Sequence, residues 1–69
     1  MFIIQELQTN GNNTSLVPAV TKVSENEADS AYYTALSYAA VSNVPIHAVI
    51  LYDDHGNVLK SAYYEHNNE

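Results

Sequence analysis

Ile46-His47-Ala48-Val49-Ile50-Leu51-Tyr52 is the stretch that decides the fold. Its alternate residues form two sets, and both are apolar: Ile46, Ala48 and Ile50 on one side, Val49 and Leu51 on the other. A strand that is greasy on both faces belongs in the middle of a sheet. Downstream, Asp53-Asp54-His55-Gly56-Asn57 reads as a turn in which Gly56 supplies the positive φ of a tight reversal. Val58 to Tyr64 then alternates as a last strand, with Lys60, Ser61 and Glu65 marking it as an edge. The tail Glu65-His66-Asn67-Asn68-Glu69 is expected to fray.

Upstream, Asn43 and Pro45 end a helix. Ala28, Ala31, Tyr32, Ala35, Leu36 and Ala39 fall on one side of it at 100° per residue. The helix is expected to reach Val41 or Ser42, and Tyr33 and Tyr38 flank its buried stripe. Ser24-Glu25-Asn26-Glu27 fits a capping box at its start, the Ser24 hydroxyl and Glu27 carboxylate serving each other's backbone N–H. Before the helix, Ser15 to Val23 is extended but carries Pro18, which suits an edge. Thr9 to Thr14 is a turn cluster containing the hairpin dipeptide Asn10-Gly11. Phe2 to Gln8 is a second two-faced strand, Phe2 and Ile4 against Ile3 and Leu7.

The order is therefore ββαββ, a single α+β domain over residues 1–69. A four-stranded antiparallel sheet in the order 2-1-3-4 puts both two-faced strands inside and both weak ones at the edges. One helix covers one face. The other face is left apolar and requires a second copy or a partner. Interface candidates are Ile3, Val49, Leu51, Tyr63 and Tyr64, the tyrosines because a phenol buries area while keeping a wet hydroxyl.

Size argues the same way. At 7.6 kDa, burial of about 4,000 Å² of apolar surface at ~25 cal/mol/Å² supplies about 100 kcal/mol. Ordering the chain at ~1.5 kcal/mol per residue costs about the same. A lone copy is marginal. Cysteine is absent, which removes disulfides, thiolate metal sites and thiol catalysis, so association is the expected support.

Eight carboxylates against Lys22 and Lys60 give a net charge of −6. Nucleic-acid affinity starts from Lys and Arg on phosphates, and anionic membranes need the same sign, so neither is an expected partner. Met1-Phe2-Ile3-Ile4 is too short for a signal peptide core and no apolar run is long enough to span a bilayer, so a cytoplasmic location is expected. The sequons at Asn12 and Asn13 then mean only a polar turn.

Asp53, Asp54 and His55 are the one dense group of potential metal ligands or acid–base residues. On a hairpin turn, Asp and Asn ordinarily bond their own backbone, so no metal or other cofactor is expected there. His47, inside an apolar strand, is either a satisfied strand histidine or a ligand-facing one. With Tyr33, Tyr38 and His66 it makes up the ligand-binding candidates; His66 meets it only if the last strand pairs beside it in a favourable register. Gly11 and Gly56 are the only glycines, so there is no phosphate loop, and no serine sits in a nucleophile elbow. Catalysis is not expected.

Asn26-Glu27-Ala28-Asp29-Ser30-Ala31-Tyr32, Ala39 to His47, Gly56-Asn57-Val58-Leu59-Lys60 and Tyr64-Glu65-His66, with the opening Ile3 to Gln8, resemble a family of short proteins encoded by phages and prophages of gut bacteria. The family has no established activity or catalytic residues. The resemblance covers nearly the whole chain and implies a viral or mobile-element gene product. The expected function is a non-enzymatic, self-associating acidic binding protein, with a basic host protein surface or a small ligand held between copies as its target. Inhibition of a host defence protein is one form of this. A virion structural or accessory protein is the alternative, located in the virion, and a small enzyme using His47, Asp53, Asp54 or His55 comes third.

Overall fold

The computed structural model describes residues 1–66 and has the order β1 (Phe2–Asn10), β2 (Asn13–Lys22), α1 (Glu25–Ala40), β3 (Ile46–Asp53) and β4 (Val58–Glu65). The four strands form one antiparallel sheet in the order β2-β1-β3-β4, with α1 packed on one face. β1 and β3, the two-faced strands, are the central pair, running from Phe2 opposite Asp53 to Thr9 opposite Ile46. Among the described residues no helix is long and apolar enough to cross a membrane.

The first hairpin is tighter than the turn cluster suggests. Asn10 and Asn13 pair, so the loop is only Gly11-Asn12, and both strands reach further than Gln8 and Ser15. Gly11 sits at φ +64 in the first loop position, as a type II′ turn requires. Further along, Ile4 faces Val20 while Glu6 faces Val17, so Pro18 and Ala19 together oppose Gln5. This is a bulge on an outer strand, where the missing proline N–H costs the ladder nothing. The Gln5 carboxamide N–H donates to the Val17 carbonyl beside the bulge.

Helix α1 buries Ala28, Tyr32 and Ala39 against Ile4, Val49 and Leu51, with Phe2, Ala31, Ala35 and Leu36 packed around them. Alanines on this stripe let the helix lie close to the sheet. Ser24 is the N-cap in extended geometry (φ −90°, ψ 137°), but its side chain makes no cap bond, so the expected capping box does not form. Glu25 and Glu27 support the start through the helix dipole alone. The helix ends one residue early, with Val41 as C-cap and its N–H on the Tyr38 carbonyl.

The tail also departs from expectation. Glu65 belongs to β4, and the His66 N–H donates to the Pro45 carbonyl at 2.7 Å. His66 Nε2 donates to the Ala39 carbonyl at 2.9 Å, closing an acceptor at the helix C-terminus. Residues 67–69 of the expected frayed tail lie outside the described residues.

Candidate functional site

The strand pairings sort side chains by face, because residues directly opposite each other point the same way. His47, Val49 and Leu51 share the helix side with Gln8, Glu6 and Ile4 of β1 and with Tyr64, Ala62 and Lys60 of β4. Ile46, Ala48, Ile50 and Tyr52 share the open side with Thr9, Leu7, Gln5 and Ile3. Leu16 joins them from β2, and Tyr63 and Val58 from β4.

That open side is apolar and almost free of charge. Of the described strand residues facing it, only Glu65, at a corner, is ionisable as an acid or base near neutrality. Three of its polar side chains find partners within the sheet. Thr9 and Thr14, paired across the hairpin, share a hydroxyl–hydroxyl bond of 3.0 Å, and the Gln5 carboxamide is engaged with backbone carbonyls. Leu16 and Tyr63 are 66% and 65% exposed, although each is a large apolar side chain in a strand.

Two of the interface candidates expected from the sequence lie on the covered side instead. Val49 and Leu51 are 0% and 1% exposed and form the centre of the core beneath α1, so neither can be a contact surface of the folded chain. Ile3 and Tyr63 do lie on the open face. Tyr64 is exposed but on the helix side, its ring stacked on His66 with centroids 6.3 Å apart. The residues that sequence reasoning omits from the surface are Leu7, Leu16, Ile46, Ile50 and Tyr52. For those on β1 and β3 the signal is present, as the second apolar set of each central strand.

The ligand-binding candidates do not converge. His47 is buried, and its Nε2 meets Glu6 Oε1 at 2.9 Å, the residue diagonally placed on β1. In the tautomer that donates from Nε2, Nδ1 is a lone-pair acceptor, and it has no partner among the described residues. Tyr64, not His66, stands opposite His47, and His66 is committed to Ala39. Tyr33 receives Lys60: Nζ donates to its hydroxyl at 3.2 Å and to Asp29 Oδ1 at 3.1 Å, and lies 4.8 Å from the ring centroid. These bonds with Tyr33 and then Asp29 hold the ammonium above the usual lysine range. Tyr38 is exposed on the helix. A cavity of about 260 Å³ between the end of β2 and the first turns of α1 is lined by Lys22, Glu27, Ser30 and Ala31, none of the four candidates.

The acidic turn is built as a backbone clamp. Asp53 Oδ1 accepts the N–H groups of His55 and Asn57, each at 2.9 Å, and Oδ2 accepts the Asn57 carboxamide at 3.0 Å. The two Asn57 bonds, with a further contribution from the His55 N–H, hold the Asp53 carboxyl below its ordinary range. Ligand atoms of Asp53, Asp54 and His55 do lie within 4.8 Å of one another. However, Asp53 spends both oxygens on the turn, and His55 Nδ1 is 3.1 Å from Asp54 Oδ1.

Compared with protein-family profiles, curated proteins and solved structures, the chain matches none.

Proposed function

We propose that this chain is a non-enzymatic, acidic interaction protein that works as an assembly, with the open sheet face as the contact between copies. One observation carries the reading: a net charge of −6 is distributed so that the described strand residues on the open face include a single corner carboxylate. Highly acidic copies can meet there without bringing like charges together, whereas a basic partner gains nothing from that side.

Sheet-on-sheet packing turns α1 outward, and with it Glu25 and Glu27. The assembly then offers acidic helical surfaces to a basic protein surface. A binding role, not a catalytic one, agrees with how the titratable groups are used: Glu6 with His47, Asp29 with Lys60, Asp53 within its turn. The resemblance to phage and prophage proteins supports a place in the host cytoplasm and a host protein as target.

Light scattering coupled to size exclusion tests the assembly. The expected result is a discrete species of at least two copies at micromolar concentration, converted to smaller species by Ile50→Glu with unchanged circular dichroism. A wild-type chain running at 7.6 kDa under these conditions overturns the reading.

A further inference from the structure

We infer that the free edge of β4 is a second self-recognition surface, pairing antiparallel with β4 of another copy about a two-fold axis at Tyr63. The two outer strands differ sharply. β2 is interrupted by Pro18 and its bulge. β4 has no proline, and its one irregularity lies at the start, between the residues facing Leu51 and Tyr52. An unblocked edge strand is a template for another strand.

The ladder fixes which groups point outward. His66 donates to the Pro45 carbonyl, and Glu65 faces Ile46. Hydrogen-bonded and non-bonded pairs alternate along an antiparallel ladder, so Tyr64 and Ala62 bond inward to β3. The N–H and C=O groups of Ser61, Tyr63 and Glu65 therefore face the open edge.

An axis at Tyr63 uses all three. Tyr63 meets Tyr63 of the second copy, and Ser61 meets Glu65 of the second copy, whose carboxylate accepts from the serine hydroxyl. On the helix side, small Ala62 meets large Tyr64. No carboxylate meets a carboxylate in this register, which matters for a chain of charge −6. Moving the axis back to Ala62 would draw Leu59, at the irregular start of the strand, into the ladder. The pairing extends the sheet to eight strands and leaves the open face free, so it is compatible with face-to-face stacking but independent of it.

The absence of native cysteine makes the register directly testable. Ala62 and Tyr64 face the helix side, where stacking through the open face cannot bring copies together. In the proposed register their Cα atoms lie about 4.5 Å apart across the non-bonded pair, within disulfide reach. Mixed Ala62→Cys and Tyr64→Cys proteins, oxidised gently, should yield the heterodisulfide about tenfold over either homodisulfide. A statistical mixture, or no cross-link, overturns the proposal. The wild-type chain gives a second reading: the Ser61, Tyr63 and Glu65 amides should gain hydrogen-exchange protection with protein concentration. Fast exchange at every concentration also overturns it. Repeating the cross-link with Ile50→Glu in both chains separates the two surfaces. It should persist there even when face stacking is lost, and its loss would count against an edge that pairs by itself.

Discussion

The two faces of this sheet carry nearly the same hydrophobic load and opposite treatment of charge. Beneath α1, Ile4, Val49 and Leu51 are sealed from water, yet that is the side that also holds Glu6, His47 and Lys60. The uncovered side, with Ile3, Leu7, Ile46 and Ile50, has only Glu65 among the described strand residues. An ordinary half-solvated antiparallel sheet alternates apolar inside with polar outside. Here the uncovered side carries large apolar side chains on all four strands and almost no charge, which is why we assign it to contact and not to solvent.

The sharpest way to break that contrast is to truncate matching positions on the two sides. Leu51→Ala should destabilise the chain by about 2–5 kcal/mol in urea melts, since the site is fully enclosed. Ile50→Ala, measured in the dilute chain, should cost less than half as much. Equal losses would mean that the open side is already a packed interior in the single chain. Next in size, Glu6→Ala should cost about 1–3 kcal/mol by leaving buried His47 Nε2 unpaired. Replacing both Glu6 and His47 by leucine should recover much of that loss, because two apolar groups leave nothing unsatisfied.

The hairpin that sets the β3–β4 register has a pH signature. Asp53 is depressed in the folded chain, so its clamp is fully effective above the ordinary carboxylate pKa of about 4 and is lost as pH falls through its lowered value. The His55 and Asn57 amides should lose exchange protection over that window, and Asp53→Ala should remove the pH dependence. The smallest effect is expected at Ser24→Ala, within about 0.5 kcal/mol in the same melts, because the hydroxyl makes no cap bond. A loss of about 1 kcal/mol or more would restore the capping box.

Strand order and the helix stripe are legible in the sequence because they depend on composition along the chain. Pro18 excludes a central position wherever the register falls, and Ala28 and Tyr32 lie on one helix stripe whatever they pack against. Which apolar set of β3 lies under the helix is a different kind of fact. A shift of one residue in pairing exchanges the two faces, and nothing local in Ile46 to Tyr52 reports it. The pattern alone therefore offers Val49 and Leu51 as surface when they are the core. The Glu6–His47 contact depends on the same register, across a separation of 41 residues. The capping box fails for another reason: the motif permits the side-chain bonds without requiring them, and the dipole already favours Glu25 and Glu27.

The placement of β1 between β2 and β3 has a consequence for synthesis. The first hairpin emerges with one side of β1 unfilled, and its neighbour on that side begins 36 residues after Asn10, at Ile46. At ~5–20 residues per second the nascent chain waits about 2–7 s for that strand. During this interval Phe2 to Thr9 presents a vacant backbone ladder in the most apolar part of the hairpin, so translation pausing before Ile46 should promote aggregation of the newborn chain.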